Sequence, residues 1–291
     1  ALGLGDSVVA VTHECDYPAE VRGRPKLTSS VIPEGLAPAE IDARVRAVTA
    51  GGESLYRLDE QTLAELGPDL IVTQAVCAVC AVSYDDVRAV AARLPGHPAV
   101  ISLDPETLED VLADIIRLAW ATGNPRLGER LLKQLRARLA AVEEAVAAAP
   151  RPRVAALEWL DPVYIGGHWV PEMIAAAGGE DVLGEPGRKS RVVGWDEVGA
   201  ASPEVVVAMP CGLYVAEAAA QARDHDRQLR AFGAERAYAV DAASSFSRPG
   251  PRLVDGIELL AHLLHPALVA APPGIASAPL WEFTAPSSQP R

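Results

Sequence analysis

The feature that most constrains the fold is a long amphipathic repeat at residues 125–148, near the middle of the chain. Apolar residues recur along it at every third or fourth position, as in a helix with one buried face. They are Leu127, Leu131, Leu135, Leu139, Val142 and Val146. About 24 residues at roughly 1.5 Å each predict a helix of about 36 Å, which is longer than a small domain is wide. We therefore expect the chain to be divided around this helix.

Short apolar segments alternate with helical segments on both sides of the repeat. Before it, Leu70–Thr73 and residues 100–103 are predicted to be buried strands with a helix between them. After it, residues 154–157, Val205–Ala208 and residues 237–240 are the corresponding strands. This rhythm is typical of parallel α/β sheets.

The sequence therefore predicts an α/β protein with two Rossmann-like lobes, whose parallel-rich sheets are joined by one long α-helix. An N-terminal α/β lobe is expected at residues 1–106, and helices including the long one at residues 107–150. The C-terminal α/β lobe is expected at residues 151–266. Residues 267–291 are rich in Ala, Pro and Ser, which predicts a disordered tail.

The net charge of the chain limits the kinds of molecule that it can bind. The net charge of −13 argues against nucleic acid, which requires a basic surface to neutralise its phosphates, and against docking on anionic lipid. No apolar run approaches the length of a membrane span, so no membrane insertion is expected, and no signal peptide is visible. Because residue 1 is Ala rather than Met, we expect the sequence to begin inside the fold or after processing.

Several segments, in order around the long helix, carry a resemblance to a known family. They are residues 56–58, 66–72, 178–180, 201–207 and 246–252. Across residues 8–266 the sequence resembles the periplasmic binding proteins for cobalamin and ferric siderophores, whose lobes are joined by one rigid helix. It is most similar to the cobalamin-binding members.

The resemblance implies a substrate-binding component of an ABC importer, and not an enzyme. It implies a ligand cleft between the lobes, cobalamin or a related corrinoid or metal chelate as transported ligand, and no required cofactor. The partners would be an ABC permease and its ATPase. The location would be extracytoplasmic, in the periplasm or at the cell surface, and the protein would be a monomer. The family has one more strand and helix before the position of Ala1, so the N-terminal lobe is expected to lack its first strand.

Ligands of open α/β sheets bind beyond the carboxyl ends of the strands, so residues that follow predicted strands are candidates. Aromatic faces suit a broad flat ligand, because they bury much area at a low cost in entropy. The candidate ligand-binding residues are Tyr17, Trp159, His168, Trp169, Tyr214, Phe246 and Arg248. The resemblance favours Phe246 most, since the family places an aromatic residue on this loop. The alternative is that these aromatics are packing residues and that Arg248 forms a surface ion pair.

All four cysteines also lie near predicted strand ends: Cys15, Cys77, Cys80 and Cys211. Three interpretations remain open. They are buried free thiols, a thiolate metal site for zinc, copper or iron–sulfur, or a redox pair at Cys77 and Cys80. One CxxC motif is weak support for the last two. The metal-binding protein and the thiol oxidoreductase are therefore the alternative functions.

The family docks on its permease through one acidic residue on each lobe. The N-lobe position aligns with Gln61, a departure, but Glu60 is adjacent; the C-lobe position aligns with Asp196, beside Glu197. Acids at helix starts are also ordinary partners of the helix dipole. The sequence contains no nucleophile elbow, phosphate-binding loop or HExxH helix, which agrees with a carrier.

Overall fold

The computed structural model describes residues 1–51, 53–74 and 84–282, and the chain divides into two compact units, Ala1–Pro105 and Glu106–Arg291. The elements of the first unit are β1 (Thr28–Ser30), α1 (Pro38–Ala50), β2 (Tyr56–Leu58), α2 (Glu60–Leu66), β3 (Leu70–Thr73), α3 (Tyr84–Ala91) and β4 (Ala99–Ser102). Before β1, a single parallel bridge joins Val11 to Lys26.

The first unit contains two small ladders of strands. β1 pairs with β2 in antiparallel orientation, and β3 pairs with β4 in parallel orientation. A small apolar cluster of Leu63, Val90 and Leu94 joins α2 to α3 and to the turn that follows it. The parallel pair β3–β4 confirms the strand–helix–strand unit predicted from the sequence.

The second unit holds most of the regular structure. Its elements are α4 (Leu108–Ala121), α5 (Pro125–Val146), β5 (Arg153–Leu160), β6 (Val163–Ile165), α6 (Val170–Ala176), β7 (Glu180–Asp181), α7 (Trp195–Ala200), β8 (Val205–Ala208), α8 (Val215–Asp224), α9 (Asp226–Ala231), β9 (Arg236–Val240), α10 (Ala242–Ser245), α11 (Leu253–Leu264) and β10 (Ser277–Glu282).

One sheet forms the centre of the second unit, with strand order β10-β9-β8-β5-β6 and β7 paired beside β5. β5, β8 and β9 are parallel to one another, whereas β6 and β10 are antiparallel to their neighbours. Successive residues point to opposite faces: Val205 and Val207 join the apolar cluster that includes α6 and α11, while Val206 faces the opposite cluster. The sheet is therefore covered on both sides, as the sequence predicts for a parallel α/β sheet.

The long helix predicted at residues 125–148 is α5, and it packs along α4 and α11 within the second unit. α4 and α5 are in close contact at Gly128. A Cβ added there would lie 2.5 Å from the Cβ of Ala119. On the α11 side, Arg138 donates from Nη2 to Asp255 at 2.6 Å and from Nε and Nη2 to Glu258 at 2.8 and 2.7 Å. These contacts fix α5 on the second unit.

Residues 161–168 include β6, because β5 runs on past β8 and the chain folds back on it. One expectation about the second unit needs correction. The segment 267–291, expected to be a disordered tail, contains β10, which fills the open edge of β9. Its Trp281 donates from Nε1 to the Ala234 carbonyl at 3.1 Å and lies under the guanidinium of Arg230, 4.7 Å from the ring centre. Among the described helices, none combines the length and apolar character needed to span a membrane.

Candidate functional site

The carboxyl ends of β5, β8 and β9 lie at the same edge of the second sheet, because these strands are parallel. The loops that follow β8 and β9 are bonded to each other there. The Ala243 amide donates to the Leu213 carbonyl at 3.0 Å, and the Gly212 amide donates to Ser247 Oγ at 3.3 Å. This carboxyl edge is the position at which open α/β sheets bind ligands.

Three residues predicted to bind ligand lie on the carboxyl edge with some exposed surface. Trp159 is half-buried near the end of β5, and its Nε1 donates to the Asp161 carbonyl at 3.0 Å. Tyr214, the residue before α8, is 39% exposed. Arg248 is half-buried on the loop after β9. The edge therefore combines two aromatic side chains with one cation.

Phe246 and Trp169 differ from the expectation. Phe246 is 2% exposed and belongs to the apolar cluster on the α6 and α11 face of the sheet. Trp169 is 7% exposed, and its Nε1 donates to the Phe246 carbonyl at 2.8 Å. The loop after β9 turns inward through α10, so both rings fill the core. Both rings therefore have a packing role in this structure, and their contact with a ligand stays a prediction.

His168 is less buried than Trp169 and Phe246 but is not on the open surface. It is half-buried, its backbone has φ of +50°, and its ring centre is 5.5 Å from that of Trp169. Burial lowers the pKa of His168, and the positive charge of Lys189 lowers it further, while Glu106 acts in the opposite direction. The neutral imidazole is thus favoured, and its buried Nε2 has no hydrogen-bond partner among the described residues.

In the first unit, the residues that follow Val11 lie against the β1–β2 ladder. The His13 ring nitrogen Nδ1 is 2.7 Å from Thr28 Oγ1, and its ring centre is 5.4 Å from that of Tyr56. Tyr17, which the sequence predicts to bind ligand, is 59% exposed. Its contact with a ligand stays a prediction.

The predicted thiolate site is only partly described. Cys77 and Cys80 fall within residues 75–83, outside the described residues. Cys15 is half-buried in the first unit, and Cys211 is exposed in the second. Within residues 1–51, 53–74 and 84–282, no three His, Cys, Asp or Glu side chains are grouped to hold a metal ion. No described cysteine is therefore assigned as a metal ligand.

The acids predicted to dock on a permease are exposed at the starts of helices. Glu60 opens α2 and pairs with Arg93 at 2.8 Å. Asp196 and Glu197 lie in the first turn of α7, and Glu197 pairs with Arg191 at 2.7 Å. Exposure makes these carboxylates accessible to a basic partner, and docking itself stays a prediction.

A half-buried acid at the carboxyl edge was not singled out from the sequence. Glu158 of β5 lies next to Trp159, and its carboxylate accepts hydrogen bonds from the Gly167 amide and the Ser190 hydroxyl. Burial raises the pKa of Glu158 to about 7, against the lowering effect of those two hydrogen bonds. A charged residue inside the apolar run of residues 154–160 is the signal that could have identified it.

Comparison with known proteins gives one family match. A family model described as periplasmic binding protein matches residues 1–237. None of the curated protein sequences matches this chain.

Solved structures with the same fold come from several bacteria. A periplasmic heme binding protein from Pseudomonas aeruginosa is 18% identical, with a TM-score of 0.68 over 97% of this chain and 90% of that one. The periplasmic vitamin B12 binding protein of Vibrio cholerae is 20% identical, with a TM-score of 0.63 over 91% and 90%. A periplasmic heme-binding protein from Roseiflexus sp. RS-1, in its apo form, is 23% identical, with a TM-score of 0.64 over 92% and 93%. These similarities establish the α/β fold.

Proposed function

The chain belongs to the periplasmic binding protein family, and from this premise we propose that it is the substrate-binding component of an ABC importer. It captures cobalamin, a related corrinoid or another metal chelate and delivers it to a membrane permease outside the cytoplasm. Binding involves no chemical change of the ligand, so the protein acts as a carrier rather than an enzyme.

The observation that carries this proposal is the carboxyl edge of the second sheet. There the loops after β8 and β9 are hydrogen-bonded into one surface that bears Tyr214 and Arg248, beside Trp159 at the end of β5. Aromatic rings give a broad ligand large contact area, and a guanidinium forms directional hydrogen bonds to anionic or carbonyl substituents. This combination suits a large flat ligand with polar groups at its rim.

The ligand class is supported by the solved structures with the same fold, which are vitamin B12 and heme binding proteins. Both are flat metal macrocycles with polar side groups. We propose cobalamin or a related corrinoid for this chain, with heme as the competing member of the same class.

The proposed partner is an ABC permease with its ATPase, and the proposed contacts are Glu60 on the first unit and Asp196 and Glu197 on the second. All three carboxylates are exposed, and the chain carries a net charge of −13. Such a surface attracts a partner whose docking face bears arginines.

Tryptophan fluorescence tests the proposal, because all five tryptophans lie in the second unit. Titration with aquocobalamin, and separately with hemin, should quench this emission with a Kd below about 1 μM for one of the two. Tyr214→Ala should raise that Kd about tenfold or more, because it removes an exposed aromatic contact. Trp120→Phe is the matched control, since Trp120 is an exposed side chain of α4 and should leave the Kd unchanged.

Absence of quenching by either compound at about 100 μM would remove the proposed ligand class, since such weak binding cannot support capture from dilute solution. An unchanged Kd in Tyr214→Ala, with tight binding by the wild type, would instead keep the carrier and move the site away from the carboxyl edge.

A further inference from the structure

The carboxylate of Glu158 joins two separate segments of the second unit. Oε1 accepts the Gly167 amide at 3.1 Å, and Oε2 accepts the hydroxyl of Ser190. Gly167 lies on the segment after β6, while Ser190 lies on the segment before α7. A single side chain therefore ties together two stretches of chain that are 23 positions apart in the sequence.

These two segments run side by side. Val193 donates to the Val163 carbonyl at 2.9 Å, Ile165 to the Arg191 carbonyl at 3.1 Å, and Gly187 to the His168 carbonyl at 3.0 Å. Residues 163–168 and 187–193 thus form an antiparallel ribbon. A Cβ at Gly167 would lie 2.2 Å from the Ser190 nitrogen, so the two backbones are in close contact beside the Glu158 carboxylate.

A second acid lies close to Glu158 within the same unit. Asp181 of β7 accepts the Leu183 and Gly184 amides at its Oδ1, at 3.0 and 2.6 Å, and its Oδ2 is buried without a hydrogen-bond partner among the described residues. Its charge raises the pKa of Glu158, and burial raises the pKa of Asp181 itself.

No cation of the described part of the chain forms an ion pair with Glu158. The charged or titratable groups of the ribbon are Arg188, Lys189 and Arg191 around Ser190, and His168 after Gly167. Arg188 lies 4.0 Å from Glu185, Arg191 pairs with Glu197 at 2.7 Å, and Lys189 acts on His168. A negative charge on Glu158 is stabilised by the two hydrogen bonds that it accepts and is opposed by its burial and by Asp181.

We propose that Glu158 is a proton-sensitive positioning residue, which sets the ribbon of residues 163–168 and 187–193 at the ligand-binding edge of the second sheet. The link to the ligand rests on the proposed function, because the ribbon carries His168 and Glu158 lies beside Trp159. The positioning itself depends only on the contacts around the Glu158 carboxyl group.

The protonated and ionised forms of Glu158 differ in what they do to the ribbon. The protonated carboxyl group still accepts the Gly167 amide and can share its own proton with Ser190, with no buried charge. The ionised group places an uncompensated charge beside Asp181. Because the pKa of Glu158 in the folded protein is raised to about 7 from its ordinary value of 4.5, its favourable contribution is complete below pH 4.5. That contribution is lost as the pH rises through 7.

The direct test is a pH titration of the Gly167 and Ser190 backbone amides by nuclear magnetic resonance, on the full chain without ligand. In the wild type, the Gly167 resonance should move with a midpoint near pH 7, because its N–H donates to the titrating carboxylate. In Glu158→Gln the midpoint should disappear, because the amide side chain can accept from Gly167 and donate to Ser190 at every pH. Glu143→Gln, which removes an exposed acid of α5, should leave the midpoint in place.

Two further variants separate positioning from general loss of structure. Asp181→Asn should shift the midpoint to lower pH, because it removes the neighbouring negative charge. Ser190→Ala should shift it to higher pH, because it removes a hydrogen bond that stabilises the ionised form. A Gly167 resonance that does not titrate between pH 5 and 8, or that titrates equally in Glu158→Gln, would overturn the proposal.

The link to the ligand is tested by measuring the binding of aquocobalamin and hemin at pH 6 and pH 8. Whichever of the two binds the wild type should change its Kd by at least about threefold between these pH values, since the ribbon is repositioned. The same ligand should show no such change with Glu158→Gln. If neither probe binds at either pH, the proposed function fails, while the amide titration still decides whether Glu158 positions the ribbon. A pH-dependent Kd that persists in Glu158→Gln would contradict the link to the ligand.

Discussion

The strands β3 and β8 have nearly the same apolar composition and yet occupy different environments. Each belongs to a run of aliphatic residues that predicts a buried parallel strand, Leu70–Thr73 in the first unit and Val205–Ala208 in the second. All four residues of β8 are fully buried, whereas Val72 of β3 is 46% exposed. The apolar run predicted the strand in both cases, and burial followed only in one.

The neighbours of each strand explain the difference. β8 lies between β5 and β9, with helices on both faces of the sheet. β3 pairs with β4, and the apolar cluster beside it is small. Burial is thus a property of what surrounds a strand, which a local pattern does not encode. The comparison predicts that matched substitutions will affect the second unit more than the first.

The largest contrast should come from placing a charge in each strand. Val207→Asp should cost about 4 kcal/mol or more of the second unit's unfolding free energy, because it buries an unpaired carboxylate. Val72→Asp should cost about 1 kcal/mol or less in the first unit, since water reaches the side chain. Urea unfolding followed by tryptophan emission reports the second unit, and amide exchange of β3 and β4 reports the first. Similar losses of unfolding free energy in both units would contradict the difference in burial between β3 and β8.

A smaller contrast should appear at two glycines. Gly128→Ala should destabilise the second unit by about 1 kcal/mol or more. The added Cβ would lie 2.5 Å from the Ala119 Cβ, and this overlap exceeds the gain in helix propensity. Gly23→Ala in the first unit has no atom within 4 Å of the new Cβ and should be neutral. The measurements are the same two unfolding assays, and a stabilising Gly128→Ala would show that α4 and α5 do not cross closely.

The smallest contrast concerns two ion pairs. Arg138→Gln should cost about 1 kcal/mol, because the guanidinium is 39% exposed and bonds two carboxylates at once. Arg93→Gln should cost at most about 0.5 kcal/mol, since Arg93 and Glu60 are 61% and 55% exposed. Raising the salt concentration should reduce both effects, and more strongly for Arg93. If Arg138→Gln costs as much at high salt as at low salt, Arg138 stabilises the unit through the packing of its aliphatic stem alone.

Much of the second unit could be predicted from the sequence, because its strands and helices have strong local signals. The amphipathic repeat gave α5, and the apolar runs gave β8 and β9. Two features could not be predicted, since they depend on partners distant in the chain. β6 exists because β5 extends past β8, and β10 exists because β9 has an open edge that an Ala- and Pro-rich segment can occupy.

The candidate site was predicted in outline but not in detail. The rule that ligands bind beyond the carboxyl ends of parallel strands located Trp159, Tyr214 and Arg248 on one edge. It could not distinguish the inward turn of the loop after β9, which buries Phe246. It also gave no indication that Glu158 bonds Ser190, because that contact joins residues 32 positions apart.

Hydrogen exchange with bound ligand tests most directly the proposed binding of a flat metal chelate at the carboxyl edge of the second sheet. With saturating aquocobalamin or hemin, whichever binds more tightly, the amides of residues 211–214 and 244–248 should exchange more slowly than in the free protein. The amides of Ser202 and Glu204, at the opposite edge of the same sheet, should be unchanged. Protection confined to that opposite edge, with none at residues 211–214 or 244–248, would contradict binding at the carboxyl edge.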